Sequence, residues 1–202
     1  MSTSLSKAIA ISAIGWQKIL SESCSLEKAL EVCLAGQPNE IKGVVQSLLY
    51  TTVRHRAKVE LLLGKLVKKP PQENTKALLY IALALLLEGK EKAFTVVNQA
   101  VDAAKMNAET AWSSGFINAV LRNFLRSRSQ LTTGFKTNLS AQFNAPGWWI
   151  SKVRKAYPNQ WRGILSTQNK QPPLTVRVNR SQISVSDFLL KLEQNGLTGV
   201  FF

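Results

Sequence analysis

The chain has 202 residues, enough for one large domain or two small ones, and its 45% hydrophobic content supports a packed core. It carries 26 Lys+Arg against 12 Asp+Glu, a formal charge of +14, well beyond the roughly 2–8 that keeps a small domain soluble. The excess points to a polyanion, either nucleic acid or anionic membrane; one histidine and two cysteines nine residues apart argue against a zinc site, a redox pair or a histidine-based triad.

Residues 1 to about 130 read as helices joined by short loops. Leu5 to Leu20 forms the first and carries only Lys7 and Lys18; its short apolar stretch lacks the cleavage signature of a secretion signal. Ser25 caps a second helix that stops at Gly36, and Asn39 caps a third with Ile41, Val44, Val45, Leu48, Leu49 and Thr52 on its apolar face. The segment "VELLLGKLVKK" predicts a fourth that ends at Pro70-Pro71, placing His55 near a helix end. "ENTKALLYIALALLLEG" is the fifth. It is apolar almost all round but shorter than the ~20 residues a membrane span needs, so it reads as the central core helix. "AFTVVNQAVDAAKMN" is the sixth, buried through Val96, Val97, Ala100, Val101 and Ala104, and Glu109 to Arg126 is the seventh. Cys24 and Cys33 fit small core positions in a reducing cytoplasm.

Composition then shifts. "LTTGFKTNLS" predicts a polar linker over 131–145. After it come two short helices broken at Pro158, then a half-buried strand with Leu174, Val176 and Val178 on one face. "SVSDFLLKLEQNG" follows as an amphipathic helix stopped by Gly196, and "LTGVFF" opens another strand. Two strands do not make a stable sheet, so this part either packs on the helical part or belongs to a longer chain. The fold class expected is mainly α: an all-α bundle over 1–130, then an incomplete α+β domain over 146–202.

The charge is unevenly distributed. Between Glu109 and Asp187 lie 77 residues with 11 basic side chains and no carboxylate. Each added carboxylate would repel phosphate, so an acid-free stretch of this length favours nucleic acid over a fortuitously basic surface. The expected RNA-binding set is Arg122, Arg126, Arg128, Lys152, Arg154, Lys155, Arg162, Arg177 and Arg180, joined by Lys170. Trp148, Trp149, Tyr157 and Trp161 are interleaved with them. Cations neutralise phosphates and release counterions, and aromatics stack on unpaired bases. Against this stand core packing for the tryptophans and, for Arg126 and Arg128, favourable placement at a helix C-terminus. No glycine-rich phosphate loop, paired-carboxylate site or metal-ligand cluster stands out. The chain alone is therefore read as non-catalytic, with no cofactor, and as a monomer.

The segments "VVNQAVDAAKMN" and "GFINAVLRNFLR" resemble the NusB-like helical domain. With "YPNQW", "QPPLTVRVNRSQIS" and "LEQNGL", the resemblance is to the version at the N-terminus of bacterial 16S ribosomal RNA (cytosine-5) methyltransferases of the Sun/Fmu type, methyltransferase B. It covers roughly 5 to 202. The resemblance implies an RNA-binding all-α domain, a small α+β domain, and then a catalytic domain that binds S-adenosylmethionine and attacks cytosine C6 with a cysteine of Pro-Cys or Thr-Cys motifs. Here Cys24 follows Ser and Cys33 follows Val, so neither inherits that role. The stand-alone NusB type carries an arginine-rich first helix, absent here, which shifts the expected RNA contact to Arg122–Arg180. Asn98 and Asn118 lie in the two matching segments and read as semi-buried residues that fix helix packing. Two other readings stay open: a stand-alone antitermination-type RNA-binding factor that regulates transcription, and a protein-interaction bundle whose charge is incidental.

Overall fold

A computed structural model describes residues 4–170, 172 and 174–201. They divide into two compact units, one running to Asn169 and one beginning at Lys170.

The first unit is a helical bundle. In chain order it holds α1 (Leu5–Ser21), α2 (Leu26–Leu34), α3 (Asn39–Leu66), α4 (Glu73–Glu88), α5 (Ala93–Lys105), α6 (Ala108–Ala111) and α7 (Ser114–Arg126). It continues through α8 (Arg128–Thr137), α9 (Leu139–Phe143), α10 (Gly147–Ala156) and α11 (Trp161–Thr167). α4 is the axis of the core, as its composition requires: every residue from Ala77 to Leu86 is buried, and α1, α3 and α5 surround it. Each large side chain removed from water there stabilises by about 1.5–3 kcal/mol. Trp16 of α1 tilts against Tyr80 of α4 with ring centroids 5.4 Å apart. Burial, with Glu60 nearby, pushes the Tyr80 phenol up to about 12.

Local signals explain several boundaries. The Ser25 side chain accepts the Lys28 N–H and starts α2. Asn39 does not cap; it is the first residue of α3, after Pro38. Gly89 ends α4 in the left-handed region, with φ +73°.

Two expected features of this unit are corrected. The third and fourth helices are one 28-residue helix, α3. His55 is therefore mid-helix, its Nε2 2.9 Å from Glu88 Oε2 on α4. The polar linker over 131–145 is instead helical, as α8 and α9. Leu131 and Phe135 supply enough apolar surface to dock α8 on the main core. Asn144, at φ +47°, closes α9 and reaches α3: its Oδ1 accepts the Ala57 N–H at 3.1 Å and its Nδ2 donates to the Val53 carbonyl at 3.0 Å. A second small core follows, built from Phe143, Ala145, Ile150, Val153, Trp161 and Leu165. The break at Pro158 between α10 and α11 stands as the sequence suggests. Residues 146–169 hold α10 and α11 and lie in the first compact unit.

The second unit contains one helix, α12 (Val185–Gln194), capped by Ser184, whose Oγ accepts the Asp187 N–H. Gly196, at φ +72°, turns the chain back. Gly199 then passes so close to α12 that a Cβ there would sit 2.8 Å from Leu189. The strands expected over 174–179 and from Leu197 do not form among the described residues. A strand needs a partner to pair its N–H and C=O groups, and none is present: Leu174 and Val176 are exposed. Pro173 and Phe202, at the edges of those two expectations, lie outside the described residues.

Candidate nucleic-acid interface

α7 owes its position to a buried polar relay. Thr75 Oγ1 of α4 donates to Ser113 Oγ at 2.9 Å, Ser113 Oγ donates to the Thr110 carbonyl at 2.8 Å, and Thr110 Oγ1 donates to the Ala104 carbonyl at 2.7 Å. All three side chains are buried, so each bond also avoids the cost of an unpaired polar group. The relay ties the start of α4, the end of α5 and the α6–α7 corner together. Ile117, Val120, Leu121 and Phe124 then turn inward, and Arg122 and Arg126 face solvent.

Asn118 Oδ1 accepts the Arg122 Nε–H at 3.0 Å, which steadies the guanidinium one turn further along α7. Arg126 ends α7, where a cation suits the helix dipole. Arg128 does not: it is the first residue of α8, where the dipole disfavours a cation. Its guanidinium lies 5.9 Å from the Phe124 ring centroid instead. Placement at a helix C-terminus thus accounts for Arg126 and not for Arg128.

The cations beyond the bend are on two further helices. Lys152, Arg154 and Lys155 are exposed on α10, and Arg162 is exposed on α11. Arg154 and Arg162 are brought together by one indole, their guanidiniums 5.7 and 4.4 Å from the Trp161 centroid. Arg177 and Arg180 belong to the second unit, exposed in the irregular stretch before α12. None of these nine side chains is in an ion pair among the described residues. The ion pairs there use Lys18, Lys76 and Lys90, and His55 contacts Glu88 by a hydrogen bond.

The tryptophans divide. Trp161 is core, edge-on to Phe143 at 5.6 Å. Trp148, Trp149 and Tyr157 are exposed, so packing does not account for them.

Other functional candidates escape a linear reading. Lys58 and Lys65 of α3 lie beside α8: the Lys58 ammonium is 5.9 Å from the Phe135 centroid, and Lys65 Nζ is 2.6 Å from where a Gly134 Cβ would stand. The spacing of Arg54, Lys58, Leu61 and Lys65 along one helix face was the available signal. Asn98 is exposed, contrary to the packing role expected for it, whereas Asn118 is half-buried. Both border an open polar cleft of about 500 Å³ with Asp102, Lys105, Ser114 and Arg122.

Residues 10–126 match the NusB family, and residues 145–200 match the RsmF/B-like methyltransferase ferredoxin-like domain. The probable ribosomal RNA small subunit methyltransferase B of Coxiella burnetii is 31% identical over 196 residues, covering 94% of this chain and 43% of that protein. Proteins named ribosomal RNA small subunit methyltransferase B from Shigella sonnei and Salmonella arizonae are 27% and 28% identical over 186 residues, each covering 91% of this chain and 43% of theirs. The chain thus spans less than half the length of these relatives. The NusB match begins inside α1 and ends with α7, and it spans more than half of the chain, so the chain belongs to the NusB family.

Proposed function

We propose that this chain binds ribosomal RNA of the small subunit, as the N-terminal, non-catalytic part of an S-adenosylmethionine-dependent ribosomal RNA cytosine-5 methyltransferase, in the cytoplasm and as a monomer. The observation that carries the reading is the set of exposed cations of the first unit from Arg122 to Arg162, in no ion pair among the described residues, within a sequence that has no carboxylate between Glu109 and Asp187. Such a surface accepts a phosphate backbone without repulsion, and every contact releases condensed counterions. The names of the relatives supply the RNA class.

The residues present do not fit S-adenosylmethionine. Its usual cradle is a glycine-rich turn between a strand and a helix N-terminus, and the described residues contain no strand. The part proposed for this chain is to hold RNA. A stand-alone antitermination factor would use residues 10–126 and leave the match over 145–200 without a role.

The test is a competition titration with a labelled, folded small-subunit ribosomal RNA fragment. Unlabelled RNA of that sequence should displace it at much lower concentration than heparin or an unrelated duplex of equal charge. Equal displacement by every polyanion would reduce the surface to a non-specific one.

A further inference from the structure

α10 opens after Pro146 and turns Ile150 and Val153 into the small second core. The opposite face carries Trp148, 63% exposed, and Trp149, 38% exposed, flanks the buried side. The core does not need Trp148, because Trp161 fills the position against Phe143. The pair is nevertheless ordered by specific contacts. The two rings meet edge to face with centroids 5.8 Å apart. Trp149 Nε1 donates to Gln168 Oε1 at 3.2 Å, just past α11. One turn on from Trp148, the Lys152 ammonium lies 5.5 Å from its centroid. Arg154 and Lys155 follow on the same helix, and no carboxylate occurs within 38 residues on either side of Trp148.

We infer that Trp148 is a stacking platform for an unpaired RNA base, with Lys152 and Lys155 taking the adjoining phosphates. The inference rests on the RNA-binding reading and goes beyond it. Phosphate contacts hold any RNA; an exposed indole flanked by cations selects nucleotides whose base faces are free. Charge decides among the possible occupants. An anionic membrane would need a broad apolar helix face, and the apolar face of α10 is already buried inward. A protein partner would have to be acidic to sit here, and RNA supplies that charge together with the flat π-face that the ring complements.

The experiment compares two RNAs of equal length and charge, one fully paired and one carrying an unpaired bulge, by fluorescence anisotropy at fixed salt. The proteins are wild type, Trp148→Ala and Trp148→Phe. Trp148→Ala is expected to weaken binding to the bulged RNA by about 5- to 150-fold, in line with the loss of one base–aromatic stack, and to change duplex affinity less than about twofold. Trp148→Phe should recover part of the loss, and the salt slope of all three should agree, since stacking moves no counterions. Because the ring is exposed, the melting temperature should not change. Equal affinity of wild type and Trp148→Ala for the bulged RNA overturns the inference and points to a protein contact. An equal loss on both RNAs also overturns it. In both cases the phosphate-binding reading survives. Failure of the wild type to bind either RNA removes that reading and the inference with it.

Discussion

Asn144 is the sharpest test of how the RNA-facing helices are attached. Its amide meets both ends of one rung of α3, the Ala57 N–H and the Val53 carbonyl, from 87 and 91 residues away in sequence. It does so from a left-handed backbone conformation, φ +47°, which Asn tolerates far better than Ala. Asn144→Ala therefore removes two partly buried hydrogen bonds, worth about 0.5–1.5 kcal/mol each, and adds about 1 kcal/mol of left-handed strain. The sum is roughly 2–4 kcal/mol, or about 4–16 °C in Tm for a unit of this size. Asn144→Gly separates the terms, since glycine keeps the backbone and loses only the amide. Thermal and urea unfolding followed by circular dichroism should rank the proteins wild type, Gly, Ala in falling stability. The reasoning is refuted if Asn144→Ala melts within a degree of wild type, which would mean that the α3 rung closes on itself and α9 docks without the amide.

Other consequences follow from the same structure. Ser113→Ala breaks the buried relay and leaves Thr75 without its acceptor, so it should cost about 1–3 kcal/mol by urea unfolding; a neutral change would show that the relay does not position α7. Gly134→Ala should stabilise by up to about 1 kcal/mol, because only the flexible end of Lys65 stands in the way and alanine favours the helix; a loss of stability would mean that the Lys65 position is rigid. Hydrogen bonds from Lys90 and then His55 hold the Glu88 carboxyl down to about 2, from an ordinary 4.5. A carboxyl depressed in the folded state stabilises above its unfolded pKa, and that contribution disappears as pH falls through the folded one. The stability gap between wild type and Glu88→Gln should therefore be full at about pH 5 and mostly gone at about pH 2; a gap that ignores pH contradicts the assignment.

The helical bundle was legible because its signals are local. The all-round apolarity of "ALLYIALALLL" marked α4 as central, Ser25 announced the start of α2, and Pro158 separated α10 from α11. What could not be read depends on partners far along the chain. The segment from Asn39 and the segment "VELLLGKLVKK" read as two helices, but Thr52 bonds back to Leu48 and Asn144 supports the rung just beyond, so α3 runs on. α8 has no buried residue and docks through half-buried Leu131 and Phe135, too weak a pattern to distinguish from a linker. The alternation of Leu174, Val176 and Val178 promised a strand, yet alternation states only which faces differ and cannot supply a pairing partner. The candidate site was legible as charge, not as geometry. That Arg128 starts a helix, that Arg154 and Arg162 share Trp161, and that Trp148 remains exposed all follow from tertiary packing.

The most direct test of the central claim is the salt dependence of RNA affinity for wild type and for Arg122→Ala/Arg126→Ala/Arg128→Ala. All three arginines are exposed and free of ion pairs among the described residues, so removing them should leave the fold intact. If each meets a phosphate, the slope of log affinity against log salt should fall by about 2–3, at roughly 0.7–0.9 per contact. A triple variant with the slope and affinity of wild type would contradict the account, by showing that RNA does not touch the end of α7 or the start of α8.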